Sequence, residues 1–199
     1  MNEFREGLWQ WQANHPNWKE GASWEQTISC YALDDGRRLF LIDPLDAPSE
    51  ALELAKQRGA DATVILLTCP WHRRDAVQLA ERLGARIYVP HPDAGDRHPV
   101  NGSVYTAGDK LPGGVMAYPG MQSNDLMLWF PAFGALVAGD TLIERQGNLI
   151  IPADWIESSH DSLAQVKARL RPLLELPVES VLPTHGTVKT AADLRTAIA

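Results

Sequence analysis

Three stretches of the sequence run an apolar segment straight into side chains able to do chemistry. They are Leu67-Thr68-Cys69-Pro70-Trp71-His72-Arg73-Arg74-Asp75, Val137-Ala138-Gly139-Asp140-Thr141 and Val181-Leu182-Pro183-Thr184-His185-Gly186. Thiol, carboxylate and imidazole are the groups that ligate transition metals or move protons to and from a nucleophile. In α/β proteins the loops that follow strands usually build the site. Periodicity alone does not bring these three ends together.

The elements that must position them alternate in kind. Ile28–Leu33 and Arg38–Asp43 are β-prone, and Asp34-Asp35-Gly36 between them signals a hairpin turn. Pro48–Arg58 carries Ala51, Leu52, Leu54 and Ala55 at helical spacing and stops at Gly59. Thr63–Leu67 is a continuous apolar run of the kind buried on both faces. A helix over Asp75–Leu83, ending at Gly84, and a short strand at Arg86–Val89 continue the α/β pattern.

Beyond residue 91 the prolines and glycines break the chain into turns, with short strands expected at Ser103–Thr106 and Gly114–Tyr118. A second hairpin is expected from Asp125–Phe130 and Ala135–Ala138. A helix over 159–174, a strand at Ser180–Leu182 and a closing helix complete the series. Residues 1–27 hold four of the seven tryptophans, at positions 9, 11, 18 and 24. The expected role of this segment is to wrap the domain with indole anchors, whose N–H groups need partners. The whole chain, 1–199, reads as one domain.

Composition narrows the function classes. The 199 residues include 18 Lys plus Arg against 25 Asp plus Glu, a net charge of −7 with no basic block, which argues against a nucleic-acid partner. No apolar run approaches the ~18 residues of a membrane helix, so no membrane partner is expected. The start lacks the plan of a signal peptide, and the two cysteines, Cys30 and Cys69, form no disulfide framework. The expected compartment is the cytoplasm and the expected partner a small-molecule ligand or substrate.

From about residue 28 to 190 the order of elements and loop texts resembles the metallo-β-lactamase fold superfamily. The resemblance is carried by the strand ending in Leu67-Thr68 and the helix after it, then Tyr118-Pro119-Gly120, Gly139-Asp140-Thr141-Leu142 and Pro183-Thr184-His185-Gly186. It implies a four-layer α/β/β/α sandwich with the site at one edge between two sheets. It also implies hydrolysis assisted by metal ions.

The departures from the family pattern bear on that chemistry. The family's metal loop, H-x-H-x-D-H after a strand-end Thr, falls on Cys69, Trp71, Arg73 and Arg74. The family's next ligand, a His soon after Pro-Gly, falls on Met121. Asp140 and His185 match in kind, and Cys69 is an altered ligand. The expected cofactor is one zinc or iron ion, or none, instead of the usual pair.

Two functions stay open. In one, the site has lost its metal and binds a small anionic or aromatic molecule through Trp71, His72, Arg73 and Arg74, with an arginine pairing Asp140 and the Trp71 ring filling the cavity left by an imidazole. In the other, Cys69, Asp140 and His185 hold a single metal, with His72 as a fourth ligand, and hydrolyse an ester, thioester or amide. The same Cys69, His185 and Asp140 also compose a nucleophile, base and orienter set. A buried, inert Cys69 is the plain alternative. The other histidines, at 15, 91, 98 and 160, are expected at the surface or at a helix start, with His91 at most bordering the site.

Overall fold

The computed structural model describes residues 1–92, 100–156 and 161–199, so His98, His160 and the Asp93 beside His91 lie outside the described residues. The chain condenses into two compact units, Met1–Tyr105 and Thr106–Ala199.

The first unit is built on a seven-stranded sheet in sequence order: β1 (Asn2–Arg5), β2 (Leu8–Asn14), β3 (Thr27–Asp34), β4 (Leu39–Ile42), β5 (Thr63–Leu66), β6 (Arg86–Pro90) and β7 (Ser103–Tyr105). β1 to β4 run antiparallel, and from β4 onward the pairings are parallel. Parallel neighbours need crossovers, and α1 (Ser49–Arg58) and α2 (Ala76–Leu83) supply two of them. Each helix ends at glycine, Gly59 or Gly84, with a positive φ that spares a Cβ clash. Ala51 and Ala55 of α1, with Ala76 and Leu79 of α2, bury against Cys30, Leu41 and Ile65 of the sheet. β4 and β5 are buried at every position, as their unbroken apolar runs require.

Part of the Trp-rich start is regular structure, since β1 and β2 form a hairpin that extends the sheet. Pairing to β3 over the whole of β2 outweighs the weak local strand signal. The indoles do serve as anchors: Trp11 Nε1 donates to the Leu45 carbonyl and Trp18 Nε1 to that of Trp24, each at 2.8 Å.

The second unit carries a five-stranded sheet made of β8 (Met116–Pro119), β9 (Leu126–Phe130), β10 (Ala135–Val137), β13 (Ser180–Leu182) and β14 (Lys189–Thr190), in the order β14-β13-β10-β9-β8. The hairpin β11 (Ile143–Arg145) and β12 (Asn148–Ile150) stands apart from it. Among the described residues, three α-helices complete the unit: α3 (Ala153–Ile156), α4 (Leu163–Leu170) and α5 (Ala191–Ile198). Val166 and Leu170 of α4, with Leu194 and Ile198 of α5, pack into a core with Met127, Trp129, Leu136 and Val181. α4 begins at a capping box in which Ser162 and Gln165 bond reciprocally, and the first two residues of the expected 159–174 helix lie outside the described residues. Among the described residues, no helix is long and apolar enough to cross a membrane.

Candidate functional site

The functional side chains fall into two clusters, one in each unit. In the first, parallel pairing of Ile42 with Leu66 ends β4 and β5 together. Asp43 therefore emerges beside Thr68, its amide bonded to the Leu66 carbonyl at 3.0 Å. Asp43 has φ 45°, a left-handed conformation that Asp tolerates better than most residues. Its carboxylate accepts from the Thr68 amide (2.9 Å) and hydroxyl (2.6 Å).

The turn Pro70–Arg73 then carries His72 back over this carboxylate, and His72 Nδ1 lies 3.1 Å from both Asp43 Oδ2 and Thr68 Oγ1. A carboxylate on one ring nitrogen fixes the imidazole's tautomer and aims its other nitrogen, the support that metal-binding histidines commonly receive. Cys69 is fully buried, and its Sγ lies within 4.8 Å of a ring nitrogen of His72. Burial pushes the Asp43 carboxyl up, but the facing His72 ring, the Arg74 guanidinium and the Thr68 hydroxyl outweigh it and hold Asp43 below the usual carboxylate range.

One sequence expectation changes here. Trp71 does not fill a cavity; it is 41% exposed, because a tight 3₁₀ turn that directs His72 inward points its neighbour outward. Arg74 donates through Nη1 to the Asp43 carbonyl at 2.7 Å with Cys30 Sγ at 3.9 Å. The backbone turn at Arg74, with φ 37°, directs it that way. His72 is only 4% exposed and belongs to the buried Asp43 network. Arg73 is half-buried.

In the second unit the register does the assembling. β10 and β13 pair in parallel with Val137 opposite Leu182, so Asp140 and His185, each three residues past its strand end, emerge side by side. The extension is held by the Ala138 amide on the Leu182 carbonyl at 3.0 Å. His185 Nε2 lies 3.5 Å from Asp140 Oδ1, and the edge of Trp155 meets the His185 ring at a centroid distance of 5.7 Å.

Two further acids brace these residues. The buried Asp125 carboxylate accepts from the Asp140 amide (3.3 Å) and the Thr141 hydroxyl (2.6 Å). The Glu144 amide donates to the His185 carbonyl at 2.7 Å, while its carboxylate holds the Thr187 amide and hydroxyl and pairs with Lys189 at 2.8 Å. Gly120 explains its own motif: a Cβ there would lie 2.3 Å from the Asp125 carbonyl and from Thr141 Oγ1.

Sequence reasoning missed Asp43, Asp125 and Glu144. Asp43 could have been found, since it ends the apolar run Leu39–Ile42 just as Asp140 follows Ala135–Val137. His91 is exposed, with Nδ1 beside the Pro92 carbonyl, and contributes to neither cluster.

Cys69, His72 and Asp140 each offer a ligand atom of a kind that zinc or iron accepts.

No protein-family model matches the chain. It is 25% identical over 173 residues to the lactamase-like protein aptB of Emericella nidulans, covering 82% of this chain and 52% of that protein. The chain thus spans about half the length of the curated relative it matches. The solved structure of TTHA1623 in a di-iron-bound form is 26% identical, with a TM-score of 0.62 over 85% of this chain and 93% of that one. The metallo-β-lactamase FIM-1 from Pseudomonas aeruginosa, solved in a mono-zinc form, shares the fold at 13% identity, with a TM-score of 0.63 over 97% of this chain and 90% of that one. With that fold shared along nearly its whole length, the chain has the fold of the metallo-β-lactamase superfamily.

Proposed function

We propose that the protein is a small-molecule hydrolase of this superfamily with a reduced, single-metal site. The ligand set we propose is Cys69, Asp140 and His185, with His72 as a fourth. The observation that carries the reading is the Asp43–His72 pair, a buried imidazole whose Nδ1 is fixed by a carboxylate and a hydroxyl. Such second-sphere support has little use unless the other ring nitrogen has work to do. The relatives solved with two irons or one zinc agree with this metal class.

When bound, the ion would supply Lewis acidity toward a carbonyl of an ester, thioester or amide substrate. The chain's own residues do the rest. Asp43 and Thr68 hold the tautomer of His72, Asp140 would add negative charge beside the ion, and Arg73 would hold an anionic group of the substrate. Trp71 offers an exposed indole on which an apolar or aromatic portion can stack.

Elemental analysis of tag-free protein tests the proposal. About one zinc or iron per chain is expected, lost in His72→Ala and in Asp140→Ala. Substituting Asp43→Asn should weaken metal affinity ~10- to 100-fold, as loss of an outer-sphere partner does. A folded protein without metal, even after incubation with zinc or ferrous iron, overturns the reading. Binding of an anionic or aromatic molecule without metal, detected by thermal shift, would then identify the site as a binding module.

A further inference from the structure

The second unit contains a hydrogen-bonded relay that starts on α4, far along the chain from Asp140. Arg169 Nη1 donates to the Gly120 and Met121 carbonyls, each at 3.0 Å, while Nη2 is held by the Asp161 carboxylate. The Met121 amide donates to Thr141 Oγ1 at 2.7 Å. That hydroxyl donates to Asp125 Oδ2, and Asp125 Oδ1 accepts from the Asp140 amide.

We propose that Arg169 is a positioning residue that sets the placement of Asp140 through the Gly120–Met121 turn. The proposal deepens the single-metal reading and rests on it only for its metal readout. A guanidinium suits this place because its fork engages two carbonyls and a carboxylate at fixed angles, which an ammonium on a flexible stem does not reproduce. The turn cannot slide without moving Thr141, since at Gly120 there is no room even for a methyl group. A shift of the turn therefore passes to Thr141 and Asp125, and from them to the backbone of Asp140.

Amide hydrogen exchange on full-length Arg169→Gln and Arg169→Lys, beside wild type, tests it. The expected result is exchange at Met121 and Asp140 faster by about tenfold or more in Arg169→Gln, partly restored in Arg169→Lys, with Leu128 and Leu136 unchanged. Metal affinity, measured by chelator competition, should fall about tenfold while circular dichroism stays native. If Arg169→Gln does not fold, Asp161→Asn, which loosens the guanidinium and leaves it in place, should show the same ordering at smaller amplitude.

Unchanged exchange at Asp140, or a uniform rise across β9 and β10, overturns the proposal by reducing Arg169 to a structural residue. Selective acceleration in a wild-type background that binds no metal supports the relay while overturning the single-metal reading. The two failures are thus separable.

Discussion

The cluster in the first unit and the cluster in the second solve one problem in different ways. Around His72 the side chains hold one another: Asp43, Thr68 and the imidazole share a buried network, closed by Arg74 on the Asp43 carbonyl. Around Asp140 and His185 the control runs through the main chain, with Asp125 gripping the Asp140 amide and Glu144 the His185 carbonyl. A side-chain network concentrates its energy in one carboxylate. A main-chain scaffold spreads it over several turns, so single substitutions should cost less there.

The sharpest way to break that contrast is Asp43→Ala. It removes the carboxylate beneath the buried His72 imidazole and leaves the Thr68 amide and hydroxyl without their acceptor, so a loss of ~3–5 kcal/mol in urea-unfolding free energy is expected. A loss under about 1 kcal/mol would show that the first cluster is no more concentrated than the second.

Gly120→Ala should come next. The added methyl meets backbone and a short, engaged hydroxyl, and overpacking of this kind costs ~1–3 kcal/mol. Thermal unfolding checks it, and an unchanged midpoint would mean that the Thr141 turn yields easily.

Glu144→Gln probes the main-chain scaffold through pH. Burial pushes the Glu144 carboxyl up, but hydrogen bonds from Lys189 and Thr187 and the Lys189 charge outweigh it and leave it below the usual range. A lowered folded value means stabilisation that is present above the unfolded carboxyl pKa, about 4.3. It is lost as the pH falls through the folded value. Wild type should exceed the variant by ~1 kcal/mol or less at pH 7, and the two should converge in acid.

The smallest effect concerns reactivity. Cys30 donates to the Asp43 carbonyl at 3.1 Å and is fully buried, which pushes its thiol up to about 11. Native protein at pH 8 should therefore leave Cys30 unalkylated by iodoacetamide, as read by peptide mass spectrometry, and denaturant should expose it. Labelling in the native state would mean that the first cluster opens.

The pattern of apolar runs and breakers placed most elements within a residue or two. Thr63–Leu66 and Ser180–Leu182 are strands, and α1, α2 and α5 are helices, because their burial is written in local periodicity. The hairpin of β1 and β2 was not legible, since its pairing partner, β3, decides it. β11 and β12, three residues each, are too short to show a period.

Residue types and strand ends determined which side chains were candidates: Cys69, His72, Asp140 and His185 were all visible in the text of the chain. Their roles were not, because a role depends on what a side chain faces. A 3₁₀ turn sent Trp71 outward and His72 inward, and a buried carboxylate 29 residues upstream claimed His72. Parallel register, a property of two strands and not of one, set Asp140 beside His185. Local sequence dictates conformation over a few residues, whereas hydrogen-bond partners distant in the chain are selected only when the sheet closes, by the need to satisfy every polar group it buries.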